Sequence, residues 1–129
     1  MPSRTALLLI ALLIPLSLSA CAPASAPQVQ VVEEYLQALV EKDADSLSVL
    51  SCAEWEPNAL LELDSLLAVE TRLEGLACQV SGVDGGTTLV TCQGAIIATY
   101  NDEDQELDLS LRTYQVVEQA GTSLLCGYR

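Results

Sequence analysis

The spacing of the apolar residues changes once along this chain, and this change constrains the fold more than any other feature. Up to about Arg72, apolar residues recur every three or four positions, as on one face of a helix; beyond it they alternate with polar residues. A helical half followed by an alternating half predicts an α+β fold in which helices pack on one face of an antiparallel sheet.

Three helices are expected in the first half, separated by two short breaks. The first runs from residue 28 to about Glu41 and the second ends near Leu50, with residues 42–45 between them. An aspartate in that break is a typical helix N-cap. The third helix is expected over residues 59–69, after a break in which Pro57 is suited to a first helical turn.

Four strands joined by tight turns are expected in the second half. Turn-forming residues cluster at 83–87, 101–106 and 120–122. Between the last two clusters the alternation slips by one position, which predicts a β-bulge near Arg112-Thr113. The expected fold class is therefore α+β, with N-terminal helices packed on a curved, cone-like, four-stranded antiparallel sheet.

The number of cysteines constrains both the cross-links and the compartment. Five cysteines are present, and one of them, Cys21, closes the apolar segment at the start of the chain. An even number in an exported domain indicates two disulfides, for which three connectivities exist. The four cysteines concerned are Cys52, Cys78, Cys92 and Cys126.

The first β-hairpin favours one of these connectivities. A three-residue turn at 84–86 places Cys78 directly opposite Cys92. Directly opposed residues of antiparallel strands lie nearly at disulfide distance. Cys52 then pairs with Cys126 on the last strand, whereas other pairings and four free thiols are the alternatives.

The first 21 residues resemble a bacterial lipoprotein signal. Arg4 provides a positive start, and the apolar run over residues 6–18 that follows is too short for a comfortable membrane span. The sequence Leu18-Ser19-Ala20-Cys21 resembles the lipobox, in which the cysteine is acylated and the preceding peptide is removed. This resemblance implies cleavage after Ala20, a lipid on Cys21, and an extracytoplasmic location at a bacterial membrane or envelope.

The signal divides the chain into three segments. Residues 1–20 are the expected signal peptide, residues 21–27 the lipidated cysteine with a flexible linker of small residues and proline, and residues 28–129 a single α+β domain. An ordinary signal with an incidental cysteine, or an uncleaved anchor helix, is the alternative. Attachment to the membrane would depend on the lipid, because an acidic chain has little attraction for anionic headgroups.

The domain resembles the nuclear-transport-factor-2-like, or ketosteroid-isomerase-like, cone family. The likeness rests on VVEEYLQAL at 31–39 followed by KDAD at 42–45, and on YQVVEQAG at 114–121 followed by LCGY at 125–128. It implies a cavity between helices and sheet, used for binding or left without chemistry. Enzymes of this family commonly use an aspartate, often with a histidine or tyrosine. No catalytic residue is carried over here, because histidine is absent and Asp108 is expected to face outward.

Charge and the absence of histidine exclude several classes of function. The chain has 18 acidic and five basic residues and a formal net charge of −13, so nucleic acid is not an expected partner. Ser–His–Asp and Cys–His catalysis and histidine-containing zinc sites are excluded because the chain has no histidine. We expect neither a metal nor another cofactor.

Several carboxylates are candidates for a site, although a solvated surface is the simpler interpretation for each. A cluster at the second hairpin turn could hold a hard cation such as calcium; it consists of Asp102, Glu103, Asp104 and Glu106. Glu54 and Glu56 flank Trp55 and could act as a carboxylate pair. Three further carboxylates are expected to face water, namely Glu62, Asp64 and Glu70.

The aromatic residues could line an apolar pocket with hydroxyls that orient a ligand, or could simply fill the core. They are Tyr35, Trp55, Tyr100, Tyr114 and Tyr128. The function we expect is a non-enzymatic, lipid-anchored binding or interaction module whose partner is a small apolar ligand or an envelope protein. The alternatives are a small isomerase or dehydratase that uses a buried carboxylate, and a structural envelope component.

Overall fold

Three helices followed by five strands make up the part of the chain that the computed structural model describes, residues 25–129. The predicted signal peptide and Cys21 lie outside these residues. The helices are α1 (Pro27–Glu41), α2 (Ala44–Leu50) and α3 (Glu56–Leu66). The strands are β1 (Glu70–Asp84), β2 (Thr87–Tyr100), β3 (Glu103–Asp108), β4 (Thr113–Gln119) and β5 (Thr122–Tyr128). The predicted α+β class is confirmed.

The break between α1 and α2 is made by two adjacent residues. Lys42 adopts a left-handed conformation with φ 61°, which ends α1. Asp43 then caps α2, because its carboxylate accepts hydrogen bonds from the Ser46 backbone N–H at 3.1 Å and the Ser46 hydroxyl at 2.6 Å. These hydrogen bonds hold the pKa of Asp43 below its usual value.

Helix α3 begins three residues earlier than expected and also ends three residues earlier. Pro57 lies in its first turn, where the missing N–H costs no hydrogen bond. Residues 56–58, which were expected to form a break, are therefore helical. The helix ends at Leu66 because β1 begins at Glu70 and residues 67–69 are needed to turn the chain.

The sheet is antiparallel with the order β1-β2-β4-β5, and β3 also pairs with β2. Strand β4 pairs with the first part of β2 and β3 with its last part, so β3 and β4 are two pieces of one interrupted strand. The interruption is a 3₁₀ turn over Leu109–Leu111, capped by the Asp108 carboxylate, which accepts from the Ser110 backbone N–H at 2.9 Å. This turn, and not the predicted β-bulge, causes the slip in the alternation.

The first hairpin turn has two residues and not the expected three. Asp84 pairs with Thr87 across Gly85 and Gly86, and a register shift near Ser81 then brings Cys78 opposite Cys92. The second turn is also shorter than expected. Only Asn101 and Asp102 form it, with φ of 49° and 62°, and the acidic residues that follow belong to the exposed strand β3.

A close approach of two glycines marks the middle of β1 and β2. The register shifts between Glu74 and Ala77, and Gly75 and Gly94 both have positive φ there. A Cβ atom on Gly94 would lie 2.5 Å from the Glu74 carbonyl oxygen. Glycine is therefore required at position 94 for these two backbones to approach each other.

The core lies between α1 and the sheet, and its members come from residues 29–125. Its largest fully buried side chains include Tyr35, Tyr114, Leu36, Leu39, Leu47, Ile96, Leu109 and Leu125. Two disulfides brace it, Cys52–Cys126 with a Cα–Cα distance of 5.3 Å and Cys78–Cys92 with 4.0 Å. These are the two pairings expected from the hairpin register, and two disulfides are typical of an oxidising, extracytoplasmic compartment.

Candidate functional site

An open cleft of about 350 Å³ lies between α3 and the sheet, whose side of the cleft is formed by residues of β2, β3 and β5 and by Arg112, directly before β4. We call it the α3 cleft. It combines apolar walls with a few polar groups at its base, the usual composition of a small-molecule site. It is lined by Trp55, Asn58, Leu61, Glu62, Ser65, Leu66, Ile96, Leu107, Arg112 and Tyr128.

The base of the cleft is an ion pair that is largely withdrawn from water. Arg112 Nη1 lies 2.6 Å from Glu62 Oε1, and the side chains are 23% and 13% exposed. Burial opposes the charge on Arg112, but the adjacent Glu62 carboxylate outweighs it and keeps the pKa of Arg112 above its ordinary value. The guanidinium therefore stays charged and paired.

Glu62 is also tied to α1. Its second oxygen, Oε2, accepts a hydrogen bond of 2.9 Å from the Tyr35 hydroxyl, which in turn accepts one of 3.3 Å from the Trp55 indole N–H. Burial and the Glu62 charge together raise the pKa of Tyr35, so its hydroxyl remains a donor. Both oxygens of Glu62 are thus occupied by hydrogen bonds.

Three aromatic side chains, Tyr128, Trp55 and Tyr114, form a wall beside the Arg112 guanidinium. Arg112 lies 4.1 Å from the centroid of the Tyr128 ring, a cation–π geometry. Tyr128 meets Trp55 edge-on at 5.4 Å and Tyr114 edge-on at 5.8 Å. The backbone of Gly127 passes so near Trp55 that a Cβ there would lie 3.3 Å from the indole ring.

Tyr114 lies at the back of this wall and is fully buried. Its hydroxyl has no hydrogen-bond partner among the described residues. Burial raises the pKa of Tyr114 to about 12, against the opposing effect of the nearby Arg112 charge. Tyr114 is thus a structural part of the wall and does not line the cleft.

The five aromatic candidates fall into two groups, those near the Glu62–Arg112 pair and one exposed at the surface, and their positions in the sequence do not show this division. Four of them, Tyr35, Trp55, Tyr114 and Tyr128, converge on the Glu62–Arg112 pair. Tyr100 is exposed at the end of β2 and takes no part. Only Trp55 and Tyr128 of the five line the cleft.

The prediction that Glu62 faces water is wrong, and Arg112 was not anticipated as a site residue. Glu62 lies three residues after Ala59 and four before Leu66, so it shares the buried face of α3 with them. That spacing is the signal in the sequence for an inward carboxylate. The residues expected to flank it in water, Asp64 and Glu70, are exposed as predicted.

The other carboxylate candidates are separate from the cleft. Asp104 accepts hydrogen bonds from the Thr99 hydroxyl at 2.6 Å and Arg72 at 3.0 Å on the outer surface. Glu54 is exposed and Glu56 is half-buried in the first turn of α3. Within residues 25–129, no three histidine, cysteine, aspartate or glutamate side chains cluster in a way that could hold a metal ion.

A second concavity, of about 450 Å³, lies between α1 and α2. Its apolar lining consists of Ala38, Leu50 and the exposed Val49, and several acidic residues line it as well. Two of these, Glu34 and Glu41, accept hydrogen bonds from glutamines one turn earlier in α1. No buried polar group points into this groove among its described lining residues, so the α3 cleft is the stronger candidate site.

The fold and site define a small, disulfide-braced α+β domain with a cleft between a helix and an antiparallel sheet. This arrangement is compatible with the nuclear-transport-factor-2-like cone. No family model matches the sequence, and no curated protein is significantly similar to it. In the described part of the chain, none of the helices has the length and apolar character needed to cross a membrane.

Proposed function

We propose that this protein is a lipid-anchored, extracytoplasmic binding module of the cone type, in which the α3 cleft holds a small, largely apolar ligand. The observation that carries the proposal is the cleft itself, in which exposed leucines surround a paired, half-buried arginine and glutamate. Its volume of about 350 Å³ is within the range of ligand pockets, roughly 300–1,000 Å³.

The anchor part of the proposal rests on the lipobox-like sequence that ends at Cys21. Two acyl chains would hold the protein on a membrane, where one is marginal. Replacing Cys21 with serine is expected to abolish metabolic labelling with palmitate, whereas replacing Ala22 with serine should preserve it. Labelling that persists in the Cys21→Ser protein would place the lipid elsewhere or remove it from the proposal.

The ligand part can be tested by native mass spectrometry of the protein purified from envelopes. Two exposed leucines, one in the middle of α3 and one directly after its end, provide a matched pair of variants. Leu61 lines the cleft and is 65% exposed, whereas Leu67 is 54% exposed and does not line it. Leu61→Ser should lose a retained ligand that Leu67→Ser keeps, with similar stability, because exposed substitutions rarely change stability by more than about 0.5 kcal/mol.

Catalysis by Glu62 is the second candidate function. It is favoured by one observation, a carboxylate hydrogen-bonded to a tyrosine hydroxyl at 2.9 Å beside an open cleft. Each oxygen of Glu62 already accepts one hydrogen bond, from Arg112 or Tyr35, so as a base it would take up a proton at a remaining lone pair. A recovered ligand that is chemically altered by the unmodified protein, but not by Glu62→Gln, would support this candidate. Preparations that never contain a ligand would instead favour a structural envelope component.

A further inference from the structure

The guanidinium of Arg112 has hydrogen-bonding capacity to spare. The group carries five N–H donors in a fixed plane. Within residues 25–129, Nη1 donates a hydrogen bond to Glu62, and the Tyr114 hydroxyl lies nearby without completing one. The Tyr128 ring covers one face of the plane at 4.1 Å, and the residue lines the cleft. The remaining donors at the edge of the plane can therefore serve an oxygen acceptor in the cleft.

The charge of Arg112, in contrast, is already balanced. Glu62 lies 2.6 Å away and both of its oxygens are engaged. A bound carboxylate would face this glutamate as well as a chain of net charge −13. A bound ammonium would lie against the Arg112 charge, and the Glu62 carboxylate that could attract it is already paired with Arg112. Both ionic ligands would lose hydration without gaining a full counter-charge.

The walls of the cleft favour an aliphatic body on such a ligand. Leu61 and Leu107 form an exposed rim, and Leu66 and Ile96 lie deeper and are buried. A volume of about 350 Å³ is at the low end for ligand sites, so the ligand is small.

We infer that the α3 cleft binds a small uncharged aliphatic amide or ester, whose carbonyl oxygen accepts a hydrogen bond from Arg112 and whose chain packs against the leucine rim. This inference rests on the proposed binding function and specifies the ligand class. It requires a preference for the neutral carbonyl over both ions of the same chain length.

Three probes with the same chain test this preference: octanamide, octanoate and octylamine at neutral pH. The protein for the titration starts at Ala22, since the complete core and both disulfides lie in residues 25–129. Binding is followed residue by residue with two-dimensional NMR. Octanamide is expected to bind about tenfold more tightly than either ion, a difference worth about 1.4 kcal/mol. The shifted resonances should be those of Leu61, Ile96 and Arg112.

The Glu62→Gln variant provides the decisive control. It keeps the size of the side chain but leaves the Arg112 charge unbalanced. Octanoate affinity is then expected to rise about tenfold, because the guanidinium gains a full counter-charge, while octanamide affinity changes little. Leu67→Ser, outside the cleft, should leave the ranking of all three probes unchanged.

Each result has one meaning. If octanoate binds the unmodified protein as tightly as octanamide, with shifts in the cleft, the ligand class is wrong while the binding function stands. If none of the probes shifts cleft resonances, and Leu61→Ser retains the same envelope ligand as the unmodified protein, the α3 cleft is not the binding site and the function proposed for it fails. The ranking in the unmodified protein decides the inference even if Glu62→Gln does not fold.

Discussion

Glu62 and Arg112 show how a single half-buried ion pair can set the character of a site. Removing either partner would leave the other charge with little water and no counter-ion, which is costly in a protein interior. The pair is therefore held in place and has no net charge, while Arg112 keeps N–H donors that Glu62 does not use. Its neutrality directs the site toward uncharged ligands.

Two buried tyrosines are expected to respond in opposite ways to loss of the hydroxyl. Tyr35 donates to Glu62 and accepts from Trp55, so Tyr35→Phe should lower the free energy of unfolding by about 1–2 kcal/mol. Tyr114 buries a hydroxyl without a partner among the described residues, so Tyr114→Phe should raise it by about 1 kcal/mol. Denaturant unfolding of both variants measures the difference. Equal losses in the two proteins would mean that the Tyr114 hydroxyl has a stabilising contact.

The same tyrosines predict loss of stability in alkali. Their pKa values are raised in the folded state, chiefly by burial, to about 12 for Tyr114. The unfolded value is about 10, so the unfolded chain loses these protons first. Ionisation of these tyrosines therefore leaves the free energy of unfolding unchanged below about pH 10 and lowers it as the pH rises toward the folded pKa values.

Circular dichroism and tyrosinate absorbance, recorded together, test the alkaline prediction. Ionisation of Tyr35 and Tyr114 should coincide with loss of ellipticity, and Tyr114→Phe should make stability fall less steeply with pH. Ionisation of every tyrosine with the fold intact would contradict it.

At the scale of elements, most of the architecture follows from local patterns. The 3.6-residue and two-residue periods give the helices and strands, and Asp43 gives the cap between α1 and α2. The sequence-based predictions are wrong where the same pattern of residues is compatible with two local structures. A strand that slips by one position can contain a bulge or a 3₁₀ turn, and Asp108 selects the turn by capping it. Nothing in the spacing of the apolar residues distinguishes the two.

The close approach of β1 and β2 gives a prediction that depends on one glycine. Gly94→Ala would place a Cβ 2.5 Å from the Glu74 carbonyl oxygen at φ 97°. We expect it to lower the free energy of unfolding by about 2–4 kcal/mol, from backbone strain and the shift of a packed strand.

Gly86→Ala is the matched control for Gly94→Ala, because a Cβ at Gly86 meets nothing within 4 Å and the backbone φ is not positive there. Its stability should differ little from that of the unmodified protein. Similar denaturation midpoints for the two alanine variants would show that β1 can move away from β2 at little cost.

For the whole molecule, the site depends on contacts that no local pattern contains. Glu62 is 27 residues from Tyr35 and 50 from Arg112 along the chain. The buried face of α3 identifies Glu62 as inward, but its partners are fixed only when α1, α3 and the segment directly before β4 pack together. The aromatic residues could be recognised as candidates from the sequence, whereas their division between wall and surface could not.

The two disulfides are expected to contribute differently to stability and to the cleft, because they close loops of different length in different places. Cys52–Cys126 links residues 74 apart and Cys78–Cys92 links residues 14 apart. The loop-entropy model gives them about 4.5 and about 3 kcal/mol. Only the first lies next to the cleft, since Trp55 follows Cys52 and Tyr128 follows Cys126, and Cys52 N–H donates to the Leu125 carbonyl at 2.9 Å.

Paired alanine variants separate the two roles. Cys52→Ala with Cys126→Ala should cost more stability than Cys78→Ala with Cys92→Ala, as measured by denaturant unfolding. It should also weaken octanamide binding under conditions where both proteins are folded, because the aromatic wall loses its covalent tie. The Cys78–Cys92 variant should bind octanamide like the unmodified protein, since that bridge lies away from the cleft. Equal binding by both variants would mean that packing of Trp55 against Tyr128 and Gly127 positions the wall without help from the disulfide.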